Sequence, residues 1–329
     1  MRPRSLPTLP ALPALLAVLM AGALALAGCG GTAPALVSAP GMTPAACGEV
    51  TLAANPWAGY EANLAVVKYL AEKELGCTVA VRAEAEAASW EHLADGSVDA
   101  ILENWGHDDL KKKYIDTEQV AVEGGLTGNR GVIGWYVPPW MVEEYPDITD
   151  WKQLRQYWKL FTTPKSRGKG QFLAGDPSYV TNDEALLKNL GLNFTVVYAG
   201  SEDALIKAFR DAERERTPLL GYFYSPQWLL SQVKLVHIPL PPYTPGCDAD
   251  PKTVACDYQP YDLDKILNRE FAYSGSPAAT LIQNFSWTNE DQNQVANDIT
   301  AKKMSPEDAA AKWLDANPQK WRKWMPAKS

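Results

Sequence analysis

Four aromatic residues stand where strands give way to polar or proline-containing loops: Trp57 in "NPWAGY", Trp105 in "DAILENWGHDD", Tyr179 in "GDPSYVTNDE" and Tyr224 in "GYFYSPQW". Isolated surface aromatics are ordinary, but four at the same kind of position invite a common purpose. Their shared chemistry is the negative ring face, which attracts a cation. A quaternary ammonium carries no N–H and cannot be recognised by hydrogen bonds; ring faces hold it at roughly 0.5–2 kcal/mol each when desolvated. Four rings supply about 2–6 kcal/mol on that scale, whereas micromolar binding needs roughly 8 kcal/mol. A second anchor is therefore required. For a betaine it is the carboxylate, and the helix predicted to start near Thr181 offers free N–H groups and a positive dipole end. The amides of Val180 and Thr181, beside Tyr179, are the candidates.

Other chemistries find less support. The three histidines, His92, His107 and His237, fall at no metal spacing, and no CxxC pair is present. GxSxG, P-loop and GxGxxG patterns are missing, so neither a cofactor nor a metal is expected. The net charge of −8 argues against nucleic acid, whose phosphates need clustered Lys and Arg. A rival reading is a lipid-anchored glycan-active enzyme or lectin, with Trp platforms beside acids such as Glu103 and Asp176. It requires two carboxylates facing one cleft at roughly 5–10 Å.

The elements that must position the aromatics alternate. "EVTLAAN" reads as a strand, 59–76 as a helix with apolar residues at helical spacing, "TVAVRAE" as a strand, "ASWEHLADGS" as a short helix and 98–104 as a third strand. This order predicts a parallel sheet with right-handed crossovers, and ligands bind beyond the carboxyl ends of such strands. The strand 131–140 precedes a second β-α-β-α-β series. From about 262 the chain reads as helical, with a possible strand near "REFAYS". The predicted fold is α/β and two-lobed: lobe I over 47–134 with a return over 237–329, and lobe II over 135–236. Crossing segments near 131–137 and 234–240 would form the hinge, and pockets favour such interfaces.

Residues 1–28 begin with Arg2 and Arg4 and continue in an apolar run too short to span a bilayer, which reads as a signal peptide. "LAGC" resembles the bacterial lipobox, which implies a lipid on Cys29 and a membrane tether on the extracytoplasmic face. Residues 29–46, rich in Gly, Pro and Ala, read as a flexible tether. The other four cysteines suit an oxidising compartment, pairing as Cys47–Cys77 and Cys247–Cys256.

On these residues the chain resembles the glycine betaine/choline-type substrate-binding proteins of ABC importers, which have a type II periplasmic-binding-protein-like fold. The resemblance rests on Asn104-Trp105 after the third strand, Tyr224 before Ser225-Pro226, the loop "GDPSYVT", Trp57 after strand one, and "AAAKWLDANPQKW" near the end. It implies a cage of Trp57, Trp105, Tyr179 and Tyr224 and the capture of glycine betaine or a related betaine. Choline, carnitine and proline betaine are alternatives. It further implies a monomer that delivers its ligand to an ABC permease with its ATPase. Two cage positions are Tyr where betaine-binding members often use Trp, and Gly59 stands where the choline-binding branch has an acid. Glu103, Trp135, Tyr136 and Arg130 are further candidates: Glu103 as a charge near the ring, Trp135 or Tyr136 reaching the cleft from the hinge, and Arg130 as a carboxylate partner.

Overall fold

The computed structural model describes residues 47–179 and 181–327; the signal peptide, Cys29, the tether and Val180 lie outside the described residues. The described residues form nine strands in the order β2-β1-β3-β9-β4-β7-β5-β6, with β8 paired to β4. The first three, β1 (Glu49–Ala54), β2 (Thr78–Ala83) and β3 (Ala100–Asn104), are parallel. The intervening helices are α1 (Ala58–Lys73) and α2 (Glu86–Ala94). A short α3 (Asp108–Lys111) follows. The apolar side of α1 is buried, from Tyr60 to Ala71, against the sheet and the C-terminal helices.

β4 (Ala121–Val137) is a long strand that serves both lobes. Its first part pairs antiparallel with β9 (Tyr261–Asn268) as far as Gly131, and its last part pairs with β7 (Gly221–Ser225) from Val132. The transfer from one lobe to the other therefore falls between Gly131 and Val132. Helices α4 (Pro139–Glu144) and α5 (Leu154–Tyr157) lead to β5 (Gly170–Ala174), α6 (Asp183–Asn189), β6 (Phe194–Tyr198), α7 (Glu202–Glu215) and β7. β5 is parallel to both β6 and β7. After β8 (Val236–Ile238) and β9 come α8 (Arg269–Tyr273), α9 (Pro277–Asn284), α10 (Asn289–Thr300), α11 (Pro306–Ala316) and α12 (Pro318–Trp321), which return to the first lobe. A mixed α/β, two-lobed architecture results.

Three sequence expectations are corrected. The stretch from 262 opens with a strand, and "REFAYS" is helical. β9 reads poorly as a strand because Asp264 and Lys265 interrupt its apolar pattern. The fold accommodates both in the interior: Lys111 Nζ sits 2.6 Å from Asp264 Oδ2, and Lys265 Nζ donates to the carbonyls of Gln283 and Phe285 at the end of α9. The second crossing also comes later than 234–240. β8 still pairs with residues 135–137 of β4, so the passage back to the first lobe is the segment 239–260. That segment carries the Cys247–Cys256 disulfide; Cys47 is bonded to Cys77. Among the described residues no helix is long and apolar enough to cross a membrane.

Candidate functional site

Strand ends deliver the aromatics. Trp57 stands at the N-cap of α1 in an extended conformation, in the loop that follows β1. Trp105 follows the last residue of β3, Tyr179 lies in the turn after β5, and Tyr224 lies within β7. Alternation along β7 puts Tyr222 on the same face as Tyr224. Tyr261 opens β9 opposite Gly131.

The rings form a connected series. Trp57 meets Tyr179 with centroids 6.2 Å apart, Tyr179 meets Tyr222 at 6.0 Å, and Tyr222 meets Tyr224 at 5.9 Å. Tyr224 then meets the edge of Trp105 at 5.6 Å, and Trp105 meets Tyr261 at 5.9 Å. Three rings belong to the first lobe or its boundary strand and three to the second. All six line one cavity of about 650 Å³ between the lobes. The close approach of Trp105 to β4 depends on Gly131, where a Cβ would lie 2.6 Å from Trp105 Cζ3 and 2.9 Å from Leu263 Cδ2.

Beneath the first-lobe rings is a fully buried carboxylate. Glu103 Oε1 accepts from the indole N–H of Trp57 at 2.7 Å and of Trp105 at 2.9 Å. Its Oε2 accepts from Asn63 Nδ2 at 2.5 Å and from Gln292 Nε2. Burial pushes its proton affinity up and the four donors oppose that. Gln292 reaches this position over Gly59, where a Cβ would lie 2.8 Å from Gln292 Nε2. In the second lobe Glu202, also buried, accepts from the Tyr224 hydroxyl and from Gln227 Nε2 at 3.1 Å through Oε1. Its Oε2 crosses the cleft to the backbone N–H of Ala58 at 2.7 Å.

The remaining sequence candidates divide. Thr181 lines the cavity. The helix beyond it starts later than expected, at Asp183, and the amide of Asn182 is taken by the Tyr258 hydroxyl at 2.9 Å. Asn104 does not reach the cavity; its Nδ2 donates to Gly106 O and to Asp264 Oδ1, bracing the turn that carries Trp105. Trp135 and Tyr136 do not reach it either. The Trp135 indole donates to Asp183 Oδ1 at 2.8 Å, and Tyr136 packs on Phe223 and His237. Arg130 is exposed near the middle of β4 beside Asp262 and does not line the cavity, which removes it as a carboxylate partner there. Glu103 stands behind the rings, not in the cavity, and Asp176 bonds to Ser178, so neither acid of the glycan reading lines the cleft.

Sequence reasoning passed over Tyr222, Tyr258 and Tyr261. The alternation in "GYFYS" carried the signal for Tyr222. Tyr261 was hidden by the charges of β9, and Tyr258 belongs to a crossing segment with no periodic pattern.

The model of the substrate binding domain of ABC-type glycine betaine transport systems matches residues 48–316. The chain belongs to this family. Within this glycine betaine-type family, the trimethylamine N-oxide-binding protein of Pelagibacter ubique is 31% identical over 192 residues, 56% of this chain and 61% of that protein. The glycine betaine/carnitine transport binding protein GbuC of Listeria monocytogenes is 25% identical over 124 residues, 38% of this chain and 37% of that one. The matches thus span under two thirds of either curated relative. Among solved structures, lactococcal OpuAC in its closed form with glycine betaine aligns with a TM-score of 0.66 at 21% identity, covering 84% of this chain and 99% of that one. An ABC-transporter choline binding protein in complex with choline aligns at 0.68 and 19% identity, covering 86% and 93%. At these identities the likeness establishes the two-lobed fold.

Proposed function

We propose that this chain captures a small methylated ammonium solute in the ring-lined cavity between its lobes and presents it to an ABC permease for import. The observation that carries the reading is the unbroken series of six aromatic rings from both lobes around one cavity. Aromatic faces supply the attraction that a headgroup without N–H requires. The lobes meet across the ligand position through Trp57 and Tyr179, Trp105 and Tyr224, and the Ala58–Glu202 hydrogen bond, as expected of hinge closure around a bound solute. The relatives bear names of proteins that bind trimethylamine N-oxide and glycine betaine or carnitine. Those solutes and choline share the methylated nitrogen.

Residues 1–28 act in this reading as a lipoprotein signal peptide, with Cys29 as the lipid-bearing residue that holds a monomeric binding protein on the outer face of the cell membrane. Residues 29–46 form its tether, and the folded part begins at 47 with the first lobe, passes to the second after Gly131 and returns through the crossing segment 239–260. Labelled palmitate incorporation, lost in Cys29→Ser, tests the anchor.

The capture reading is tested by titrating quaternary ammonium solutes against intrinsic Trp fluorescence and by calorimetry. Micromolar affinity for at least one of them is expected. Trp105→Ala should weaken it at least tenfold while the melting temperature moves by a few degrees at most, because Trp105 is partly exposed at the cavity wall. Unchanged affinity in that variant rules out the cage.

A further inference from the structure

Two carboxylates stand behind the rings with no cation beside them. Glu103 and Glu202 are 1% and 7% exposed, and all their hydrogen-bond donors are neutral: two indoles, three side-chain amides, a phenol and a backbone N–H. Among the described residues neither forms an ion pair with Lys, Arg or His. Buried charges are stable when paired, and a cationic ligand would supply the partner that the protein does not.

The cavity wall repeats the pattern. Glu86, Asp108, Asp109 and Asp248 line it, and the one basic group there, His107, has its Nε2 2.9 Å from Glu86 Oε1. Two backbone amides at which a ligand carboxylate could be received are already used. The N-terminus of α1, a sixteen-residue helix with its positive end at the cage, holds Glu202 Oε2 on the Ala58 amide. On the other side of the cavity, the Asn182 amide bonds to Tyr258. A zwitterionic betaine would bring a seventh carboxylate to a site that six acids already surround.

We propose that this chain selects a methylated ammonium that carries no carboxylate, and that Glu202 is the specificity-determining residue. The inference rests on the capture reading above and narrows it. Glu202 occupies with its own carboxylate the start of α1, a helix end that would otherwise favour a ligand's acid group, and bonds the second lobe to the first in doing so. Together with Glu103 it places negative charge under both halves of the cage, on the side of the rings away from the ligand. An onium ion is thus attracted through the rings as well as by them.

Calorimetry on the mature chain with choline, tetramethylammonium and glycine betaine tests this directly. Choline or tetramethylammonium is expected to bind at least tenfold more tightly than glycine betaine. Glycine betaine binding as tightly as the better of the two overturns the proposal and leaves the capture reading standing. If none of the three binds, the capture reading falls and this inference with it.

Glu202→Gln keeps an acceptor for the Tyr224 hydroxyl and removes the charge. It should weaken choline binding at least fivefold and leave the affinity of choline's neutral carbon isostere, in which carbon replaces nitrogen, within twofold. Equal losses for the charged and neutral ligands would show a structural role and overturn the assignment of Glu202. The wild-type ratio decides the selectivity whether or not the variant folds.

Discussion

At the scale of single residues, the cage depends on groups that never touch its ligand. The two Trp rings are fixed by one shared acceptor, Glu103 Oε1, so their tilt is set by a carboxylate both indoles must reach. Charge-assisted hydrogen bonds of this kind are about twice as strong as neutral ones. Gly131 contributes by lacking a side chain, because the Trp105 ring lies where its Cβ would be. Gly131→Ala should therefore displace Trp105 and bend β4 at the transfer between lobes. Overpacking of this sort costs roughly 1–3 kcal/mol. Urea unfolding should report that loss, and calorimetry should report an affinity reduced about tenfold. An alanine variant that binds like the parent would show that Trp105 need not rest on β4.

At the scale of elements, legibility followed how simply each segment solves its burial problem. The first β-α-β-α-β unit was readable because its strands are short apolar runs and α1 repeats apolar residues at helical spacing. The rims of those strands followed from topology alone, and the four aromatics found there do line the cavity. β9 was not readable, because Asp264 and Lys265 are buried through partners distant in sequence, Lys111 and the carbonyls ending α9. With β9 went Tyr261. Glu103 was singled out only as a nearby charge: its four donors come from β3's own turn, α1 and α10, a convergence that no local pattern records. The crossing segment 239–260 lacks strand or helix pattern, and its order comes from a disulfide, from Asn189 Nδ2 donating to Val254 O at 2.7 Å, and from Tyr258. Tyr243, Gly246 and Asp248 of this segment line the cavity. Replacing Cys247 and Cys256 together by Ser should cost roughly 2–3 kcal/mol, the loop-entropy scale for so short a ring, and should weaken ligand binding more than Cys47→Ser with Cys77→Ser, since the latter pair lies outside the cavity lining. Denaturation and calorimetry on the two double variants give the comparison.

At the scale of the whole molecule, both segments that join the lobes converge on one buried acid. Asp183 Oδ1 accepts from the Trp135 indole on β4 at 2.8 Å and from the Tyr258 hydroxyl on the second crossing at 3.0 Å. Its other oxygen accepts no hydrogen bond among the described residues. Burial, opposed by these hydrogen bonds, pushes its carboxyl up from the ordinary 3.8 to about 6. The folded state therefore holds a proton between about pH 4 and 6 that the unfolded state has released. The stability this provides is fully present below pH 4 and is lost as pH rises through 6. A shift of this size corresponds to roughly 3 kcal/mol at neutral pH. Asp183→Asn keeps an oxygen for both donors and removes the charge. Its stability should exceed that of the parent by roughly 1–3 kcal/mol at pH 7.5 and match it near pH 4. Glu103 and Glu202 titrate in both proteins, so the difference between the two urea-unfolding profiles isolates Asp183. Parallel profiles would mean that Asp183 is not the group that couples the hinge to protons. If the profiles diverge, the same variant should differ from the parent in the rate of ligand release in stopped-flow fluorescence at pH 7.5 and match it near pH 4, because the amide reproduces the protonated carboxyl that the parent holds in the acid range.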